Sequence, residues 1–329
     1  MATAQQIKAL LKSYIDRDED RFHSIVLQVA ANEARLGHGK FAQELRELVD
    51  QAKARVALSI VGKQPIPIAH PRGELSGLLS VDYPKIRLSD MILQPNLLKR
   101  IVRIFSEQRH LSKLQNHGLE PRRKLLLTGP PGCGKTMTAS VLAGELGIPL
   151  FLVRLDGLIT KYMGETAAKL RLIFDAIAQT RGVYLFDEFD SIGTQRGLLN
   201  DVGEIHRVLN SFLMFIEQDQ STSIIIAATN HPQKLDFALY RRFDDVIEYS
   251  LPDQEMILAL LKSRLIEFDV SKVDLNQIAD AASGLSFAEI NQACEEAIKE
   301  MIIHDKAVLT TENILNSISE KITFSKKNV

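Results

Sequence analysis

The chain has 329 residues, enough for two or three domains, and its 45% apolar and 25% charged fractions are those of an ordinary soluble globular protein. Lys plus Arg (40) nearly balance Asp plus Glu (41), so no global field points to nucleic acid or to an anionic membrane. The two cysteines, Cys133 and Cys294, are too far apart in sequence to suggest a disulfide framework or a metal cluster, and no apolar run approaches the roughly eighteen residues of a spanning helix, so the chain reads as untargeted and cytoplasmic.

Residues 3–57 are nearly free of glycine and proline, and apolar side chains recur at helical spacing. Ile7, Leu10, Leu11 and Tyr14 form one group, Phe22, Ile25, Val26 and Val29 a second, and Phe41, Leu45, Leu48, Val49 and Val56 a third. Breaks near Asp16–Asp20 and at Gly37-His38-Gly39 predict a three-helix domain over 1–60. Such a unit either packs on the main domain or recognises a partner or substrate, and its residues do not say which partner. Residues 61–87 carry Pro65, Pro67, Pro71, Gly73 and Gly77 and read as a linker. Structure resumes at Leu88-Ser89-Asp90, and Gln94-Pro95-Asn96 sets up a helix from Leu97 to about Leu114.

The apolar run Lys124–Thr128 leads into Gly129-Pro130-Pro131-Gly132-Cys133-Gly134-Lys135-Thr136, and Met137 begins a helical pattern. This is the G-x-x-x-x-G-K-[ST] phosphate loop in its strand–loop–helix context. Its glycines let successive backbone N–H groups curl round a phosphate, and the helix start adds a positive dipole end. Lys135 is expected along the β- and γ-phosphates and the Thr136 hydroxyl on Mg²⁺, which makes ATP with Mg²⁺ the expected ligand.

Further strands are read at Leu150–Val153, Gly182–Phe186, Ser223–Ala228 and Val246–Tyr249, with helices between them at 166–179 and 201–217. This alternation predicts an α/β fold, a parallel sheet covered by helices on both faces, over 88–252. Beyond Pro252 only helical patterns remain, at 255–268, 274–282, 286–304 and 311–318, so 253–329 reads as an all-helical C-terminal domain. The last residues read as a frayed end.

The strand Val183–Phe186 closes on Asp187 and Glu188. In a phosphate-loop enzyme the first carboxylate can orient the Mg²⁺ shell and the second can take a proton from the attacking water. Asp190 is read either as a turn carboxylate or as a group near the metal shell or a neighbouring subunit. Asn230, at the end of the Ile224–Ala228 strand, could sit between the γ-phosphate and the water. Arg241 and Arg242 suit a γ-phosphate that gains charge in the transition state. Their strand end is expected to lie away from the chain's own loop, so they are expected to act on a neighbour's nucleotide.

The order Gly129–Thr136, Val183–Glu188, Ala228-Thr229-Asn230, Leu235-Asp236, Arg241-Arg242-Phe243-Asp244 and Leu251-Pro252 resembles the AAA subfamily of AAA+ ATPases over residues 85–305, closest to single-ring remodellers such as katanin and spastin. The resemblance implies a P-loop αβα ATPase domain with a helical lid, a hexameric ring, and arginine fingers offered across the subunit boundary. On it, Gly284–Glu289 is the lid motif near the adenosine. Ala288 falls where this subfamily lacks the second-sensor arginine, and Phe287 replaces the usual glycine. Lys161-Tyr162-Met163-Gly164-Glu165 is similar to the family's first pore loop, so Tyr162 and Met163 are expected to grip protein substrate in a channel. A tyrosine packed on a helix start is the alternative. Residues 194–204, with Arg196, Gly197 and Asp201, are expected lower in that channel.

The leading expectation is therefore an ATP-hydrolysing remodeller or unfoldase that threads or disassembles proteins. Two rivals are a regulatory switch controlling a partner enzyme such as a protease through residues 3–57, and a nucleic-acid motor, which the charge balance disfavours. The chain holds no His-Glu-x-x-His or Gly-x-Ser-x-Gly protease motif of its own.

Overall fold

The computed structural model describes residues 71, 73–158, 165–190, 202–266, 268–304 and 308–327, together with Val26, Val29, Ala30 and Gln43. The chain divides into two compact units, Met1–Pro67 and Ile68–Val329. In the first, the four described residues are helical, and Val29 and Ala30 are buried. The rest of the three-helix expectation lies outside the described residues, as do Tyr162, Met163, Arg196, Gly197 and Asp201.

The second unit is built on a six-stranded sheet. Its strands are β1 (Leu79–Asp82), β2 (Lys124–Thr128), β3 (Leu150–Val153), β4 (Val183–Phe186), β5 (Ile224–Thr229) and β6 (Asp245–Glu248), in the order β1-β3-β4-β5-β2-β6. All neighbours are parallel except β1, which runs antiparallel to β3 with Leu79 opposite Val153. The sheet is thus mixed rather than wholly parallel. Its antiparallel edge comes from the segment read as a linker, where a helical turn at Leu75–Leu78 runs straight into β1. Leu78 and Leu79 are each 3% exposed, and this burial fixes a strand too short to announce itself among prolines and glycines.

Helices cover both faces, as parallel strands buried on both sides require. Two of them, α1 (Pro95–Arg109) and α2 (Lys135–Leu146), pack together, and α2 lies on β3, β4 and β5. The other face is covered by α3 (Glu165–Gln179) and α4 (Val202–Gln218). On α3 the buried Leu170, Ile173, Phe174 and Ile177 follow the helical period, and they meet Leu126, Ile225, Ala227 and Phe212 in one core. Phe186 and Phe212 meet edge to face at 5.1 Å, and Phe189 lies 4.7 Å from Phe212.

Four helices complete the unit: α5 (Gln254–Arg264), α6 (Leu275–Ala281), α7 (Phe287–Ile303) and α8 (Thr311–Lys327). They share a separate core that includes Leu261, Ile278, Ile290, Cys294 and Ile314. Their starts are held by side chains: Asp253 accepts from the Met256 amide, Asp274 from those of Asn276 and Gln277, and Ser286 and Glu289 form a capping box. Helix α8 runs to Lys327, so Lys326 and Lys327 of the end read as frayed are helical, and Asn328 and Val329 lie outside the described residues. Among the described residues no helix is long and apolar enough to cross a membrane.

Candidate nucleotide site

Strand β2 delivers the phosphate loop to the carboxyl end of the sheet, where ligands of such folds collect. The loop's shape depends on residues without side chains. Gly129 has φ +137°, and a Cβ there would lie 2.2 Å from the Tyr249 carbonyl oxygen. Gly132 has φ +72°, and its Cβ would meet Ser286 Oγ at 2.6 Å and the Ala288 methyl at 2.9 Å. One glycine therefore lets the loop rest on the end of β6, and the other lets it touch the start of α7. The Ala288 amide donates to the Gly132 carbonyl at 3.2 Å, so the helical domain bonds directly to the loop. Behind the loop the Tyr249 amide donates to Thr128 O at 2.7 Å, and the buried Tyr249 hydroxyl lies 2.6 Å from Thr138 Oγ1 on α2.

Lys135, 6% exposed, donates from Nζ to the carbonyls of Gly129 and Pro130, each at 2.7 Å. Burial lowers its pKa, while Cys133, Asp187 and Asp190 act against that fall by favouring the charged form. Thr136 Oγ1 donates to Asp187 Oδ2 at 2.7 Å, bridging 51 residues of chain. Glu188 is the only non-glycine among the described residues with positive φ, at 49°. Left-handed backbone at a glutamate is uncommon and costs about 1 kcal/mol or more, so its surroundings must hold it there. The Glu188 amide donates to Asp187 Oδ1 at 2.9 Å, and the next residue, Phe189, is fully buried.

A cleft of about 720 Å³ opens over these groups, between the sheet's carboxyl end and the helical domain. Its polar side carries Lys135, Thr136, Asp187, Glu188 and Asn230. Pro131, Gly132, Cys133, Gly134 and Met137 also line it, whereas Gly129 and Pro130 serve as acceptors for Lys135. Ala288 lines the side facing α7, with Phe287 beside it. The remaining wall holds the apolar Ile86, Met91, Ile92 and Leu260, among Ser89, Asp90, Ser263, Arg264 and Asn291. Sequence reasoning missed these because isolated apolar residues on a loop and on α5 look like ordinary core. Helical periodicity offered no signal to separate them. An apolar wall facing a few convergent polar groups suits a ligand with a flat base at one end and phosphates at the other.

The two arginines are elsewhere. Asp245 at the start of β6 pairs with Leu125 at the start of β2, so Arg241 and Arg242 precede the end of the sheet opposite the loop. That separation is about 10 Å along β2 alone, counted from Leu125 to Thr128. Arg242 pairs with Glu217 at 3.0 Å, the Arg241 guanidinium lies 5.6 Å over the Phe237 ring, and neither lines the cleft.

The Thr136 hydroxyl and the Asp187 carboxylate are oxygen donors of the kind that Mg²⁺ takes. They share a hydrogen bond, which puts two hard ligands together beside the loop. No group of three or more His, Cys, Asp or Glu side chains arranged to hold a metal occurs among the described residues. The donor set thus fits an ion bound by one or two protein groups together with phosphate oxygens rather than in an all-protein cage.

Residues 125–251, from β2 to the segment after β6, match the family model described as ATPase family associated with various cellular activities (AAA). The chain is also similar to an uncharacterized AAA family ATPase of Sinorhizobium fredii, 36% identical over 303 residues that span 92% of this chain and 90% of that one. Shared identity over nine-tenths of both chains, on a strand–loop–helix cradle closed by a helical domain, leads to one conclusion: this chain belongs to the AAA+ ATPase family and is a nucleotide-binding, ATP-hydrolysing enzyme.

Proposed function

We propose that the chain is an Mg-ATP-dependent protein remodeller that works in the cytoplasm as a homo-hexameric ring and threads or disassembles protein substrates. The observation that carries its chemistry is the 2.7 Å contact between Thr136 and Asp187, with Glu188 beside it and Asn230 on the same cleft wall. Lys135 turns its ammonium from the Gly129 and Pro130 carbonyls to the β- and γ-phosphates. Backbone N–H groups from Gly132 to Thr136, at the start of α2, bind the same oxygens. Mg²⁺, when bound, would supply charge neutralisation at the phosphates, and Thr136 and Asp187 would hold it. Glu188 accepts the proton of the attacking water, and Asn230 orients that water against the γ-phosphate. The apolar wall of Met91, Ile92 and Leu260 takes the base.

Arg241 and Arg242 complete a neighbour's site in this reading. Their position at the far end of the sheet from their own loop supports that assignment, because an arginine acting on the γ-phosphate must come within hydrogen-bond reach of it. The remodelling part rests on Tyr162 and Met163, which lie in sequence between the turn Leu155–Leu158 and the start of α3. Six such pairs round a ring would hold a polypeptide through apolar and stacking contacts that ignore its sequence. Residues 1–60 bind the partner or the substrate.

The test is Glu188→Gln. Assembly and ATP binding should persist while turnover falls at least about 100-fold, the range that removal of a general base commands. Proteins retained by this variant in ATP, identified by mass spectrometry, are the substrates. A Glu188→Gln enzyme that hydrolyses ATP at the wild-type rate overturns the assignment.

A further inference from the structure

Two strand ends must keep a fixed register for this chemistry: that of β4, which carries Glu188, and that of β5, which carries Asn230. They are tied by bonds that the nucleotide does not use. The Phe189 amide donates to Ala228 O at 2.8 Å, carrying the pairing with β5 past the end of β4. One residue further on, Thr229 Oγ1 donates to Asp190 Oδ1 at 2.8 Å, between side chains that are 1% and 9% exposed. The same Thr229 hydroxyl accepts from the His231 amide at 3.0 Å. It therefore spans Asn230 in a tight side-chain turn.

A single hydroxyl thus fixes two things. Through His231 it sets the backbone that presents Asn230, and through Asp190 it holds the turn in which Glu188 adopts φ +49°. A glutamate in left-handed backbone relaxes unless residues on both sides are anchored. On one side the Asp187 carboxylate accepts from the Glu188 amide, and on the other Phe189 is buried in the aromatic core and Asp190 is bonded to β5. Neither Asp190 nor Thr229 lines the cleft, whereas Glu188 and Asn230 do.

We propose that Asp190 and Thr229 form a clamp of positioning residues that registers the base Glu188 against the water-orienting Asn230. The inference rests on the roles given to those two residues under the proposed function. Buried, bonded side chains behind a reactive pair are what hold it to a few tenths of an ångström, and a slip of about 1 Å costs up to about 100-fold in rate. Thr229 lines neither the phosphate loop nor the apolar wall, so its loss acts on the chemical step, and the Asp190 charge that favours charged Lys135 stays in place when only Thr229 is changed.

The experiment measures kcat, KM and the affinity for a fluorescent ATP analogue in Thr229→Val, Thr229→Ser and Asp190→Asn, alone and combined with Glu188→Gln. Thr229→Val should lower kcat about 10- to 100-fold with KM and nucleotide affinity within threefold of wild type. Thr229→Ser keeps the hydroxyl and should restore most of the rate. Asp190→Asn keeps an oxygen acceptor and should fall between them, which tests the clamp even if Thr229→Val folds poorly. In the Glu188→Gln background, Thr229→Val should lower the residual single-turnover rate by a smaller factor than it lowers kcat in the wild-type background, because the part of the clamp that acts through Glu188 is already lost. A loss there as large as in the wild-type background, equal losses in affinity and kcat for Thr229→Val, or a wild-type kcat for Thr229→Val while Glu188→Gln is inactive would overturn the clamp and leave the base assignment standing. A fully active Glu188→Gln would overturn that assignment and the clamp together.

Discussion

Gly132→Ala tests the contact between the helical domain and the phosphate loop. The new methyl would lie 2.6 Å from Ser286 Oγ and 2.9 Å from the Ala288 methyl, while the backbone stays at φ +72°. Left-handed backbone costs an alanine about 1 kcal/mol more than a glycine. Displacing Ser286 forfeits its bonds to Glu289 and the cap of α7, worth about another 1 kcal/mol. The sum is about 2 kcal/mol, which for a unit of this size lowers Tm by roughly 4–8 °C in calorimetry. Because Phe287 and Ala288 at that helix start also line the cleft, ATP affinity should fall by about tenfold or more, the equivalent of 1.4 kcal/mol. Ser286→Ala alone should cost about 1 kcal/mol, and the double variant should lose about 1 kcal/mol less than the sum, since both changes forfeit the same cap. Wild-type melting and affinity in Gly132→Ala, or strict additivity with Ser286→Ala, would refute the contact as the structure draws it.

Tyr162→Ala should leave ATP turnover within about threefold of wild type while processing of a captured protein substrate stops, since truncating one large aromatic removes its packing but leaves the nucleotide site intact. Unimpaired processing would defeat threading and favour a switch that acts on a partner. The two thiols should be unreactive in the folded protein. Burial pushes the Cys294 thiol up to about 11 and raises that of Cys133, against the pull of nearby Lys135. At pH 8 about one Cys294 in a thousand is then thiolate, so a thiol-specific chromophore should label Cys294 at least about 100-fold more slowly in the native protein than in the urea-unfolded one. Rapid labelling of Cys294 in the native protein at pH 8 would contradict its burial.

The parts of the site legible in the sequence were those whose chemistry is local. Gly129–Thr136 states its turn, its helix start and its cation within eight residues, and Asp187 and Glu188 stand where an apolar strand stops. Order along the chain could not show that Thr136 and Asp187 would bond across 51 residues, although paired motifs suggested it. Asp190 was legible only as a carboxylate with several possible uses, because its partner Thr229 is brought to it by the parallel pairing of β4 and β5. Met91, Ile92, Leu260 and Asn291 come from three separate segments, and only the packing of the helical domain over the sheet turns them into a wall. The antiparallel β1 was hidden for another reason. Four residues between Gly77 and Pro84 carry too little pattern, and it is the burial of Leu79 beside Val153 that makes them a strand.

The central claim is that each hydrolytic site is shared, with Glu188 on one subunit and Arg241 and Arg242 on the next. It is tested most directly by mixing two inactive proteins, Glu188→Gln and the double variant Arg241→Ala/Arg242→Ala, under conditions that let subunits exchange. Mixed assemblies would contain boundaries that pair an intact Glu188 with intact arginines, so ATPase activity should rise well above the sum of the two proteins assayed apart. Activity equal to that sum, with subunit exchange verified by fluorescence transfer, would contradict the shared site.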